Sequence, residues 1–153
     1  MTTINELTKP APTSLVLRRT LNAPVDRVFN AWLTPEAMRV FMPGDHKVLD
    51  LSVDPRVGGA YRITWDTPNG IMTVGGVYRE IVKNERIVST WTWEEDDPSE
   101  VHETLLTLEF HPLGAKTEFV LTHTNLRSEQ SRDGHASGWS TIVDRLGDLL
   151  EGG

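Results

Sequence analysis

The stretch SEQSRDGHASGWSTIVDRLGDLL, residues 128–150, decides the fold. Apolar or aromatic side chains recur in it at steps of three and four, which places them on one face of an α-helix. The members of this face are His135, Trp139, Ile142, Val143, Leu146, Leu149 and Leu150. The opposite face is polar and suits water. Since this is the only long helical pattern in the chain, the residues before it must supply the surface that buries its apolar face.

Composition narrows the classes of partner. The chain has 153 residues, a net charge of −7 and no cysteine. A nucleic acid or an anionic membrane surface attracts concentrated Lys and Arg, so neither is an expected partner. Without cysteine there is no disulfide, no thiol nucleophile and no thiolate metal ligand. We expect neither a metal nor a cofactor.

The length and the ends of the chain indicate one domain. Residues 1–13 are polar with two prolines and are expected to form a flexible leader, followed by a single domain over residues 14–151. The leader lacks the apolar core of a signal peptide, and no run approaches the roughly 20 apolar residues that cross a bilayer. The expected location is the cytoplasm, without membrane insertion.

The elements before the long helix are a strand, two short helices and six further strands. Residues 14–21 alternate as a strand does, and Pro24 and Pro35 suit the starts of the two helices. Turn residues separate the later strands, which are predicted at 47–53, 59–66, 71–81, 86–93, 102–111 and 116–124. Short connections between successive strands predict an antiparallel meander, and the element order predicts an α+β fold.

Alternation along these strands predicts an inner face that is rich in aromatic rings. Four tryptophans face inward from the first helix and the sheet, and Trp139 faces them from the long helix. His102 and His123 have the same inward parity. A wide aromatic surface with few polar groups is typical of ligand pockets, and it is equally typical of a large core.

Four segments carry a family resemblance. These are RTLNAPVDRVFNAWLTPEAM (19–38), VGGAYRITW (57–65), GGVYREIVKNERIVSTWTW (75–93) and HASGWSTIVDRLGDLL (135–150). In this order they resemble the SRPBCC (START/Bet v 1-like) superfamily, and within it the branch similar to the activator of Hsp90 ATPase, Aha1. One departure stands at residues 41–44, where relatives often have Trp-Trp-Gly-Pro and this chain has Phe-Met-Pro-Gly.

The resemblance implies a helix-grip fold, in which a curved antiparallel sheet of about seven strands and two short helices wrap a long C-terminal helix. It also implies an apolar cavity between sheet and helix, and hence binding of a hydrophobic or aromatic small molecule. The candidate ligand-binding residues are Trp32, Phe41, His46, Tyr61, Trp65, Trp91, Trp93, His102, His123 and Trp139. Near the start of the long helix, Gly138 is expected to permit close approach and Trp139 to touch the ligand.

Two other functions stay open. The first is an enzyme, such as a cyclase or hydrolase, with His123 or His102 as general base. No nucleophile elbow, phosphate loop or HExxH motif supports a particular chemistry, so no catalytic residue is assigned. The second is a chaperone-associated, stress-protein role by analogy with Aha1. A homodimer is possible, although no exposed apolar stripe identifies an interface.

Overall fold

The computed structural model of the protein describes residues 13–152. The predicted leader therefore lies outside the described residues, apart from residue 13. The strands are β1 (Leu15–Leu21), β2 (Lys47–Val53), β3 (Ala60–Thr67), β4 (Gly70–Val82), β5 (Arg86–Trp93), β6 (Glu103–Leu113) and β7 (Lys116–Thr124). The helices are α1 (Val25–Ala31), α2 (Pro35–Phe41) and α3 (Glu129–Gly152), and a short 3-10 turn spans Pro98–Glu100.

The seven strands form one antiparallel sheet in the order β1-β7-β6-β5-β4-β3-β2. The predicted meander from β2 to β7 and the α+β class are confirmed. β1 pairs with β7, so α1 and α2 connect opposite edges of the sheet. Register shifts interrupt the ladders near Leu49 in β2 and near Arg79 in β4. Such bulges bend a strand, and they contribute to the curvature of the sheet around α3.

The apolar face of α3 packs inside this curve as its periodicity predicts. Trp139, Ile142, Val143, Leu146 and Leu150 are all buried. Inward parity is also confirmed along β3, β5, β6 and β7, where alternate residues are buried. The C-terminal half of α3 is therefore ordinary core, and any open space must lie nearer its start.

The glycine pairs Gly58-Gly59 and Gly75-Gly76 shape a turn and a strand of the sheet. Gly58 has a positive φ of 84° and lies in the turn between β2 and β3, where its amide donates to the carbonyl of Tyr78. In β4, a Cβ on Gly76 would lie 2.1 Å from the carbonyl oxygen of Thr90 and 2.4 Å from the ring of Tyr61. Only glycine lets the Tyr61 ring lie so close to the β4 backbone.

The described helices contain no candidate membrane span. Among residues 13–152, no helix is both long and apolar enough to cross a lipid bilayer.

Candidate functional site

A cleft of about 530 Å³ opens between the sheet and the first half of α3. Its walls come from the segment after α2, the β3–β4 hairpin, the end of β5 and α3. The residues that line it are Pro43, Gly44, Asp45, His46, Trp65, Thr67, Asn69, Met72, Trp91, Trp93, Ser131, Gly134, His135, Ser137, Gly138, Trp139, Thr141 and Ile142. The volume lies within the range of small-molecule sites.

Four tryptophans that line this cleft pack against one another and are here called the indole cluster: Trp65, Trp91, Trp93 and Trp139. Trp93 is partly buried, and the other three are only 2–5% exposed. Ring centroids in the cluster lie 4.8 Å apart for Trp91 and Trp139, and 5.5 Å apart for Trp65 and Trp93. Trp91 and Trp93 meet edge to face, with centroids 5.7 Å apart. Aromatic rings pair in offset-stacked or edge-to-face geometries, and the ring of a ligand can contact an indole in the same geometries.

His123 fixes the position of Trp139 in the cluster. The Thr104 hydroxyl donates to the carbonyl oxygen of Trp91 at 2.6 Å, so the 2.7 Å contact of Thr104 Oγ1 with His123 Nε2 requires the proton to be on Nε2. His123 Nδ1 then has a free lone pair and accepts the indole N–H of Trp139 at 3.1 Å. The imidazole is therefore neutral, and both of its nitrogens are used.

His135 holds Trp93 in the same way, with the tautomer reversed. Its Nδ1 lies 2.8 Å from the carbonyl oxygen of Ser131, which can only accept, so Nδ1 carries the proton. Its Nε2 accepts the indole N–H of Trp93 at 3.0 Å. The ring centroids of His123 and His135 lie 5.0 Å apart. Two adjacent neutral imidazoles thus anchor two of the four indoles.

Burial keeps both imidazoles uncharged. Desolvation, with a smaller contribution from nearby His135, lowers the pKa of His123 to about 3. Burial also lowers the pKa of His135, against the opposing effect of its bond to the Ser131 carbonyl. Protonation of either ring would remove the lone pair that accepts an indole N–H, so a charged form would disrupt the indole cluster.

A second, much smaller space lies deeper in the fold. This inner cavity has a volume of about 30 Å³, and Trp91 and Trp139 line both it and the cleft. The remaining lining residues are Trp32, Met38, Met42, Tyr61, Ile63, Tyr78, Ile87, Ser89, Leu106 and Leu108. The two indoles therefore form the boundary between the cleft and the inner cavity.

The structure divides the ten candidate residues into separate places. His46, Trp65, Trp91, Trp93 and Trp139 line the cleft. Trp32 and Tyr61 line the inner cavity, as Trp91 and Trp139 also do. His123 lies behind Trp139 and acts on the cleft through that indole.

Phe41 and His102 line neither space, and their placement at a cavity is corrected. Phe41 is the last residue of α2 and is fully buried against Trp32, with ring centroids 4.8 Å apart, whereas Pro43 and Gly44 in the turn after α2 line the cleft. His102 precedes the first residue of β6, so strand parity does not govern its side chain. Its Nε2 contacts the carbonyl oxygen of Asn125 at 2.7 Å, away from the indole cluster.

The expectation for Gly138 is also corrected. A Cβ on Gly138 would meet nothing within 4 Å, so this glycine does not permit a close approach between helix and sheet. It faces the open cleft, as Gly134 does one turn earlier. The missing side chains at these two positions leave part of the cleft volume empty.

The comparisons with known proteins agree with this architecture. The sequence profile described as "Activator of Hsp90 ATPase homolog 1-like protein" matches residues 22–151. The chain belongs to this family. It is the Aha1-like branch of the SRPBCC superfamily, as the four sequence segments indicate. No curated protein matches the chain significantly.

Solved structures give this Aha1-like domain several relatives of the same fold. A protein from Chromobacterium violaceum is 29% identical, with a TM-score of 0.78 and coverage of 92% of this chain and 99% of the other. A Rhizobium leguminosarum protein is 28% identical, with a TM-score of 0.79 and coverage of 92% and 95%. A Rhodobacter sphaeroides protein shares the fold alone, at 21% identity and a TM-score of 0.79 over 94% and 95% of the chains.

Sequence reasoning missed several residues that line the cleft of this Aha1-like domain. The helical pattern predicts His135 on the buried face of α3 but gives it no role at the site; its position four residues before Trp139, on the same helix face, is the signal that places it beside that indole. Thr67, Asn69 and Met72 come from a hairpin whose contact with the cleft has no local signal in the sequence. Their position follows only from the curvature of the sheet.

Proposed function

We propose that this Aha1-like domain binds a hydrophobic, aromatic small molecule in the cleft. The observation that carries the proposal is the indole cluster, in which three tryptophans of the sheet and one of α3 line a space of about 530 Å³. Aromatic side chains bury large areas and add specific ring geometry, so a planar ligand would gain most of its affinity here. His46 and the other polar residues of the lining would face the more polar part of the ligand.

The state of the buried histidines supports binding over general-base catalysis. A general base needs a lone pair that can reach a substrate proton. In His123 the lone pair accepts from Trp139, and in His135 it accepts from Trp93. Both histidines therefore act as supports for the binding surface, and the proposed function includes no catalytic residue.

Blocking the cleft at Gly138 tests the proposal. Tryptophan fluorescence of the full chain is titrated with a library of aromatic and lipid-like compounds, first for the wild type and then for Gly138→Leu. A Cβ at Gly138 meets nothing within 4 Å, and the further atoms of a leucine would extend into the cleft that this glycine lines. Leucine also has a higher helix propensity than glycine. We expect at least about tenfold weaker binding of every wild-type ligand, equal to about 1.4 kcal/mol.

Gly138→Ala is the matched control, because it gives the same helix benefit and adds only one methyl group to the cleft. It should bind like the wild type within a factor of about three, a difference below 1 kcal/mol. The proposal is wrong if no compound in the library binds the wild type. It is also wrong about the cleft if ligands bind Gly138→Leu as tightly as they bind the wild type.

The family match favours a second candidate, an interaction with an Hsp90-type chaperone. It rests on the description of the family alone. The test is the ATPase rate of Hsp90 with and without the purified full chain. A rate that is unchanged at saturating concentrations, together with no capture of Hsp90 in a pull-down, would eliminate this candidate and leave the ligand-binding proposal untouched.

A further inference from the structure

The lining of the cleft carries one carboxylate and no counter-charge of its own. The carboxylate belongs to Asp45, in the turn between α2 and β2. Within residues 13–152, no lysine, arginine or glutamate lines the cleft. The Asp45 side chain is 69% exposed, and an exposed carboxylate is ionised at neutral pH. The wall of the cleft therefore presents a negative charge to a ligand.

The turn that carries Asp45 lies close to the indole cluster along α3. Gly44, the residue before Asp45, lies so near the helix that a Cβ there would be 3.4 Å from Cγ1 of Ile142. Ile142 follows Trp139 by three residues on the same helix face, a rise of about 4.5 Å. A ligand whose ring contacts Trp139 can therefore reach the carboxylate through a short chain.

Arg145 contacts this carboxylate without removing it from the cleft. Its Nη2 lies 3.4 Å from Asp45 Oδ1, which is longer than the usual 2.7–2.9 Å of a charged hydrogen bond. The Arg145 side chain is 51% exposed, and an exposed ion pair contributes at most about 1 kcal/mol. Arg145 itself does not line the cleft. The Asp45 carboxylate can therefore accept a second cation from the side of the cleft.

Two further features favour a cation over an anion at this site. The net charge of the chain is −7, so the field of the whole protein attracts cations. Trp93 lines the cleft and is only partly buried, and an indole ring attracts a cation more strongly than other aromatic side chains do. An anionic ligand would instead lose part of its hydration beside Asp45, without a cation of the lining to compensate it.

We propose that the cleft selects aromatic ligands that carry a positively charged amino group one or two carbons from the ring system, with Asp45 as the counter-ion. This inference rests on the proposed function, because the ring system of the ligand lies on the indole cluster. The ligand class is then the aromatic alkylamines, and aromatic carboxylates are discriminated against. Asp45 determines specificity, while the rings supply most of the affinity.

Three probes that share a ring system and a two-carbon chain test the inference. They are 2-(2-naphthyl)ethylammonium, 2-(2-naphthyl)ethanol and 2-naphthylacetate, whose end groups are positive, neutral and negative. Their affinities for the full chain are measured by calorimetry at pH 8, where imidazole is neutral and an aliphatic amine is protonated. We expect the ammonium to bind about five- to tenfold more tightly than the alcohol, and the carboxylate at least about fivefold more weakly.

Two variants separate the charge of Asp45 from the charge of the whole protein. Asp45→Asn keeps the shape of an exposed side chain, so it should fold as the wild type does. It should reduce the preference for the ammonium over the alcohol to about twofold or less, and leave the affinity for the alcohol unchanged. Asp148→Asn is the matched control, because it removes the same charge from an exposed position of α3 outside the cleft. It should keep the wild-type order of the three probes.

Each outcome decides between the two proposals. Equal affinity of the wild type for the three probes overturns the inference and leaves the proposed function standing. A preference for the ammonium that survives in Asp45→Asn, or that Asp148→Asn reduces as strongly, also overturns it, because the selectivity then does not come from Asp45. If none of the three probes binds, the proposed function for aromatic ligands fails, and this inference fails with it.

Discussion

Replacing His123 with glutamine should remove a large part of the pH dependence of folding stability. The pKa of His123 falls from 6.5 to about 3 in the folded protein, chiefly through burial. Between these values the unfolded chain binds a proton that the folded chain does not. Acid therefore favours the unfolded state: stability is complete above about pH 6.5 and is lost as the pH falls towards 3.

The size of the effect follows from the same pKa values. pH 5 is 1.5 units below the imidazole pKa of 6.5 in the unfolded chain. Each pH unit below that pKa changes the free energy of unfolding by about 1.36 kcal/mol. The wild type should therefore lose about 2 kcal/mol through His123 between pH 7 and pH 5. The lowered pKa of His135 adds a loss in the same direction.

Glutamine is the matched replacement because it does not titrate and can imitate both bonds of His123. Its carbonyl oxygen can accept the Trp139 indole N–H, and its amide can donate to Thr104. Urea unfolding of both proteins at pH 7, 6 and 5 gives the free energies. The wild type should lose about 2 kcal/mol more than His123→Gln over this range. Parallel losses in the two proteins would show that His123 is not kept neutral by the fold.

Three further substitutions test other parts of the structure. Gly76→Ala should lower the free energy of unfolding, measured in urea, by about 3 kcal/mol or more, because the added Cβ meets backbone and the Tyr61 ring. Gly75→Ala is the control: its Cβ has one ordinary contact at 3.7 Å, so the free energy of unfolding should change by less than about 1 kcal/mol. Trp139→Phe leaves a buried lone pair on His123 without a donor, so the free energy of unfolding in the same assay should fall by about 1–3 kcal/mol, and ligand binding should weaken. A variant as stable as the wild type would contradict the hydrogen bond from Trp139 to His123. Arg19→Met should cost at most about 1 kcal/mol in thermal unfolding, since its bonds to α3 are partly exposed.

Most of the fold could be predicted because its signals are local. Periods of two and 3.6 residues identified the strands and α3, and turn residues fixed the order of the meander. The inward parity of Trp91 and His123 followed from the same alternation and is confirmed. The pairing of β1 with β7 had no local signal, since it depends on how α1 and α2 cross between the edges of the sheet.

The candidate site could be predicted only in part. A cleft is the space left where helix and sheet do not pack together, and local sequence patterns do not show where that space lies. The aromatic residues of the indole cluster were identified from strand and helix parity. Parity failed at His102, which lies outside β6. The small size of Gly138 suggested a close approach, but its role is the space that it leaves in the cleft. The hydrogen-bond partner of each indole N–H group could not be predicted, because the two partners can lie far apart in the sequence, as Trp93 and His135 do.

Contacts between a bound aromatic compound and the indole cluster test the central claim most directly. Intermolecular nuclear Overhauser effects are measured for any compound that passes the fluorescence titration, with assigned indole signals. The account predicts effects from the ligand to Trp91, Trp93 and Trp139 in the cleft. Effects confined to the outer face of the sheet, around Val77 and Val101, would contradict it.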